Sequence, residues 1–211
     1  MNITRATAVA ALALLPLTTQ ARAYVRSEYI QTLRSPVDIM SLAIQVSPEH
    51  TPAATYLLAW ELAILNNTSP TASLPAGTSV RLPIYTPSSG FAGDLRTWHV
   101  AVCAAHRYHV SPGLLVAIRS WENPRPASEY KACGVKLFRK GQCVGWWPGG
   151  LRGQIAKAAK IVAGRASKKE HEWDAMDPGR SNLVALGRAY ADGSDKWGPG
   201  VWAIYRKTGG R

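Results

Sequence analysis

Glu122 is the residue of this chain whose setting in the sequence best suits acid–base chemistry. It closes the run Pro112-Gly113-Leu114-Leu115-Val116-Ala117-Ile118-Arg119-Ser120-Trp121-Glu122. Leu114, Leu115, Ile118 and Trp121 recur at helical spacing, Ser111 is a natural N-cap, and Pro112 falls at the first helical position. Pro124 and Pro126 then end the helix, because proline lacks the N–H and restricts the residue before it. A carboxylate in the last turn of a buried helix meets the unfavourable end of the dipole, and desolvation beside Trp121 favours its protonated form. A general acid needs that protonated state near neutral pH. The alternative is a solvated charge, the ordinary state of a single glutamate.

The residues around Glu122 sharpen this reading. The segment LLVAIRSWENPRPASEYKACGVK, from Leu114 to Lys136, resembles the catalytic entry of lysozyme-superfamily glycan cleavers, the group of lytic transglycosylases and goose-type lysozymes. It is most similar to a phage-associated branch that carries Glu-Asn-Gly-x-Pro-Gly-x-Glu-Phe-Gly-Val there. Glu122, Asn123, Pro126, Glu129, Tyr130 and Val135 match, with Lys131, Ala132 and Cys133 inserted before Gly134. Tyr108-His109-Val110-Ser111-Pro112 is similar to the Tyr-Gly-Val-Asp-Pro that precedes the catalytic helix, and Tyr190-Ala191-Asp192-Gly193 resembles the later Ala-Tyr-Asn-Ala-Gly motif. The resemblance implies a lysozyme-like helical domain over 94–211. Glu122 would be the proton donor, Tyr190 would stand beside it, and Tyr130 and Gln154 would line the substrate cleft.

Cleaving a glycosidic bond requires a proton for the leaving oxygen and stabilisation of an oxocarbenium-like centre. Candidates for a second carboxylate are Glu129, Asp174 and Asp177, although helix and turn caps account for both aspartates. None has a convincing motif, which favours a transglycosylase-like route over hydrolysis. Gly134-Val135-Lys136 also resembles a segment of flagellar-type β-N-acetylglucosaminidases, the alternative among enzymes. A non-catalytic wall-binding protein is the alternative from another class. Trp146 and Trp147, paired in a Gly/Pro-rich stretch, offer flat faces to sugar rings or pack against the core.

The elements that must position these groups divide the chain. Residues 24–86 read as a small α+β module: a strand near Tyr29–Leu33, a helix over 35–44, and a second helix capped by Thr51 or Thr55. That second helix carries Tyr56, Leu57, Trp60, Ile64 and Leu65 on one face, and a final strand spans Ser79–Tyr85. Leu65, Asn66, Asn67, Leu74, Pro75, Gly77, Val80, Leu82 and Pro83 give this stretch a resemblance to the LysM βααβ module, although Val37 replaces the usual glycine of its opening. The resemblance implies binding of N-acetylglucosamine-containing glycan; a plain packing module is the alternative. Residues 87–93 read as a linker, and Asp94 caps a helix running to His109. The expected fold is mainly α: a lysozyme-like helical domain preceded by a small LysM-like α+β module.

Composition bounds the partners. The 211 residues carry a net charge of +12, which favours an anionic polymer such as peptidoglycan. No helix-turn-helix, zinc-finger or RNP-type pattern accompanies the charge, so a nucleic-acid partner is not expected. Arg5, the apolar run Ala6–Leu17 and Ala21-Arg22-Ala23 read as a cleaved secretory signal over 1–23, too short for a membrane span, with export to the periplasm or cell exterior. Cys133 and Cys143 flank a basic loop and suit a disulfide after export, leaving Cys103 as a free thiol. His106 and His109 share a helical face, but no metal-ligand spacing accompanies them, and neither metal nor cofactor is expected.

Overall fold

The computed structural model describes residues 23–88, 93–123, 133–139, 142–168, 172–191 and 194–208. Residues 1–22 of the expected signal segment 1–23, together with Glu129, Tyr130 and the tip of the 133–143 loop, lie outside them. Among the described residues, helices form the majority, accompanied by three two-stranded antiparallel pairs. No described helix is long and apolar enough to cross a membrane.

The first half runs strand–helix–helix–strand. Strand β1 (Ala23–Thr32) pairs antiparallel with β4 (Ser79–Ser88), in a register that sets Ala23 against Ser88 and Thr32 against Ser79. Between them lie β2 (Val37–Asp38), α1 (Ile39–Val46), α2 (Pro52–Leu65) and β3 (Ser73–Leu74), with β2 pairing β3. Asp38 accepts from the Ser41 N–H at 2.7 Å and caps α1; Thr51 caps α2, with Pro52 following it. Both caps satisfy amides that the first helical turn leaves free. β4 continues through Pro87 and Ser88, residues that read as linker in the sequence.

Helix α2 does not bury the face expected of it. Ala54, Leu58, Ala59, Glu61 and Leu62 face the core, while Tyr56 and Trp60 are exposed. Nearly every residue of this helix is apolar, so periodicity alone leaves its orientation open; the small Ala54/Ala59 side permits close packing. Turning that side inward carries Glu61 into the interior, where it needs partners.

The second half is helical. Helix α3 (Leu95–Tyr108), capped by Asp94, packs against α2, α4 (Pro112–Glu122) and α5 (Gly150–Ala166). A hairpin of β5 (Lys136–Arg139) and β6 (Gln142–Trp146) separates α4 from α5; α6 (Arg180–Tyr190) and α7 (Trp197–Tyr205) close the chain. Seven consecutive residues of α4, Gly113 to Arg119, are buried, so this helix is surrounded on all sides. Leu151, Ile155, Ala158, Ala159 and Val162 of α5 and Trp197, Val201, Ile204 and Tyr205 of α7, spaced as one face of each helix, are buried. One hydrophobic core joins both halves, from Leu58 and Leu82 to Ile118 and Val201.

A buried polar cluster lies in that core where the halves meet. Glu61 is fully buried and accepts from Arg26 Nε at 2.7 Å, from the Tyr85 hydroxyl, and from His99 Nδ1 at 2.5 Å. Arg26 also reaches Glu28 at 2.7 Å. β1, α2 and β4 of the first half are thereby tied to α3 of the second. Burial alone would raise the Glu61 carboxyl, but the His99 hydrogen bond, the Arg26 charge and the Tyr85 hydroxyl outweigh it and hold it below the usual carboxylate range.

Candidate active site

Glu122 is the last residue of α4, after Ser111 caps the helix and Pro112 opens it. Its neighbours come from distant parts of the chain. Oε1 accepts the indole N–H of Trp197 at 2.6 Å, from the first turn of α7. The carboxylate rests on Gly134, whose backbone adopts φ +65°; a Cβ there would overlap the Glu122 side chain. Glycine is required at that point for both reasons. Tyr190, at the end of α6, lies against Trp197 with ring centroids 4.9 Å apart, and its hydroxyl donates to the Cys133 carbonyl at 2.8 Å.

Burial is the main influence on the Glu122 carboxyl and raises it above the usual range. The Trp197 hydrogen bond and the charge of Lys136 oppose the rise without cancelling it. The tryptophan responsible differs from the one expected. Trp121 points away, 40% exposed and lying over Gly200 of α7, so the indole at the carboxylate is Trp197. A residue beside another in a helix points about 100° away from it, so Trp121 and Glu122 cannot share one face.

Gln154 does not line a cleft. It is fully buried on α5: its oxygen accepts from Val135 N at 3.1 Å and Cys133 N at 3.4 Å, and its nitrogen donates to the carbonyls of Val135 at 3.1 Å and Trp147 at 2.9 Å. With every valence used on backbone, it is a positioning residue. It fixes the 133–135 segment, and therefore fixes Gly134 beneath Glu122.

The other expected contacts divide. Trp147 is half-buried, packs on the core, and carries the Lys157 ammonium 4.2 Å from its ring centre, so that face is covered by a cation. Trp146 ends β6; only its backbone is described. Tyr130 falls outside the described residues. Asp174 and Asp177 are exposed on a turn at the opposite end of α4, where the Ala175 carbonyl accepts from Ser111 N at 2.8 Å and Asp174 accepts from Met176 N. Eleven helical residues separate that end from Glu122, roughly 16 Å at 1.5 Å each. This is too far for a partner carboxylate across a scissile bond, where about 5–9.5 Å is needed. Both aspartates are therefore removed from the reacting position.

The three cysteines are free: Cys133 is buried and Cys143 exposed, so the suggested disulfide is not formed. Cys133 points into the core while its backbone anchors Tyr190 and Gln154, and burial pushes its thiol far up. No cluster of three or more potential metal-binding side chains occurs among the described residues.

Two features escaped sequence reasoning. Trp197 sits 75 positions from Glu122; its signals were an apolar helix face and a place in the stretch YADGSDKWGPGVWAIY, neither of which points to that carboxylate. Glu61 carried no signal beyond being a charge in an apolar helix. Comparison of the chain with protein-family models, with curated proteins and with solved structures finds no match in any of the three.

Proposed function

We propose that this chain cleaves peptidoglycan glycan strands between N-acetylmuramic acid and N-acetylglucosamine, with Glu122 as general acid and then base. One observation carries the reading. A helix-terminal carboxylate, raised by burial and oriented by Trp197 and Gly134, has no second carboxylate near it among the described residues. A lone protonated carboxyl can deliver a proton to the glycosidic oxygen as the C1–O bond breaks. The resulting carboxylate then takes the proton of the muramic acid C6 hydroxyl, whose oxygen closes on C1 to give an anhydro end. This route consumes no water and needs no second acid. The lysozyme-like and LysM-like resemblances, the expected export and the net charge of +12 agree with an anionic wall polymer as partner.

The decisive experiment is mass spectrometry of purified peptidoglycan after incubation with the protein, beside Glu122→Gln. Anhydromuramic ends that disappear in the variant are expected. Reducing ends would instead mean hydrolysis, and the sugar bearing them would separate muramidase from β-N-acetylglucosaminidase. A folded protein that leaves several wall types uncut overturns the enzymatic reading in favour of a wall-binding protein.

A further inference from the structure

The outward turn of α2 leaves two large aromatic rings in solvent. Tyr56 and Trp60 stand one helical turn apart, 54% and 44% exposed, edge to face with centroids 6.4 Å apart and planes at 75°. With Leu57 they form one wall of a cavity of about 430 Å³; His99, Val100 and Cys103 of α3 and Arg152 of α5 form the rest. That size suits a small ligand, since such sites run from about 300 to 1,000 Å³. No carboxylate lines the cavity, and none of its residues touches Glu122.

Each wall offers a distinct chemistry. The aromatic pair presents two ring faces at nearly a right angle. A pyranose chair fits such a corner, its C–H face on one ring and its edge against the other, whereas a flat base needs parallel overlap. His99 is 1% exposed; its Nδ1 is committed to Glu61, and its Nε2 is buried without a hydrogen-bond partner. An ionised Glu61 only accepts, so Nδ1 donates in that bond, and Nε2 is the ring nitrogen left without a partner for a ligand hydroxyl. Arg152 is exposed and pairs with no carboxylate among the described residues, leaving its planar fork free to take one.

We propose that this cavity is a second glycan site, separate from Glu122, that holds a carboxylated pyranose: the ring lies on Trp60 and Tyr56, a hydroxyl hydrogen-bonds to His99 Nε2, and Arg152 takes the carboxylate. The choice of a saccharide rests on the glycan-cleaving reading, in which N-acetylmuramic acid supplies both ring and carboxylate. The site would hold the polymer while Glu122 acts elsewhere along it.

The test uses the full chain carrying Glu122→Gln, titrated by tryptophan fluorescence with a peptide-free N-acetylglucosamine–N-acetylmuramic acid oligomer. Trp60→Ala and Arg152→Ala are each expected to weaken binding tenfold or more, while chitotetraose, which has no carboxylate, binds less tightly and is insensitive to Arg152→Ala. Binding unchanged by both substitutions overturns the site. Equal binding of chitotetraose overturns the role of Arg152, and tighter Trp60-dependent binding of a mononucleotide overturns the saccharide assignment. Cleavage by the unsubstituted chain is measured separately. Trp60-dependent binding without cleavage sinks the enzymatic reading and keeps this site; cleavage with binding indifferent to Trp60 and Arg152 sinks this site alone.

Discussion

Glu61 and Glu122 both sit on helices packed into the core, and their surroundings drive them in opposite directions. Glu61 lies near the C-terminal end of α2 with no exposure, and a guanidinium, an imidazole and a phenol all point at it. Glu122 closes α4 half-buried, with one neutral indole donor and a glycine beneath it. Burial raises a carboxyl in both places; only at Glu61 is there enough opposing charge and hydrogen bonding to reverse the shift. A fully neutralised carboxylate has no proton to give and no room for substrate. A desolvated, under-partnered one has a proton to give, at a cost in stability. The difference separates a carboxylate that holds the fold together from one suited to chemistry.

Exchanging each side chain for a neutral one should therefore have opposite consequences. Glu61→Ala strands Arg26 and His99 in the core, and loss of one member of a buried ionic cluster costs about 3–5 kcal/mol. Denaturant unfolding should show that loss, and activity should fall only as far as the folded fraction does. On the proposed function, Glu122→Gln should cut peptidoglycan turnover by about 10²–10⁴-fold, the range for a positioned acid, while thermal unfolding at neutral pH moves little or upward. A raised folded-state pKa means that ionised Glu122 costs stability as pH rises through that value, so removing the charge relieves the cost. The depressed Glu61 works the other way: its contribution is present above the ordinary glutamate pKa and is lost as pH falls through its lower folded value. Glu61→Gln should flatten the acid limb of the stability profile, and an unchanged limb would remove Glu61 from its role.

Those two glutamates also mark how far the sequence could be read. The caps Thr51, Asp94 and Ser111 were legible because a cap acts on an amide two or three residues away, whereas Asp38, expected inside a helix over 35–44, caps one that starts at Ile39. Glu122 and its helix were legible for the same local reason. The orientation of α2 was not, because an almost uniformly apolar helix has no preferred face in its own sequence. Its direction is set by Arg26, Tyr85 and His99, which lie 24 to 38 positions away along the chain. The β5–β6 hairpin was missed because Lys136-Leu137-Phe138-Arg139 is short and lacks a two-residue hairpin turn signal. Gln154 was expected to line the cleft, yet it is buried and its contacts are with backbone, which residue type and spacing do not reveal.

Gln154 sharpens the comparison by linking stability to the site. Gln154→Leu keeps the volume but leaves the Cys133 and Val135 N–H groups and the Trp147 carbonyl without partners, while the Val135 carbonyl keeps the Trp147 N–H. Unpaired buried groups cost about 1–3 kcal/mol each, and partial rehydration of the loop should hold the total to about 2–4 kcal/mol. Unlike Glu61→Ala, this loss should, on the proposed glycan-cleaving function, be accompanied by a fall in turnover per folded molecule, because the freed segment carries Gly134. Equal specific activity per folded molecule would show that the 133–135 segment does not position Glu122.

The smallest change tests the site most directly. Trp197→Phe removes a single N–H from Glu122 while keeping an aromatic ring against Tyr190, at about 1 kcal/mol for a lost hydrogen bond. That N–H stabilises the ionised carboxylate, so its removal lets burial raise the Glu122 pKa further. If Glu122 must be protonated to act, activity declines on the alkaline side as it ionises. The variant's alkaline limb should then move to higher pH even though its maximal rate falls with the loss of orientation. A stabilising partner alone would lower the rate at every pH and leave the limb in place. A limb that stays put, or moves to lower pH, would mean that the proton delivered to the glycosidic oxygen comes from another group.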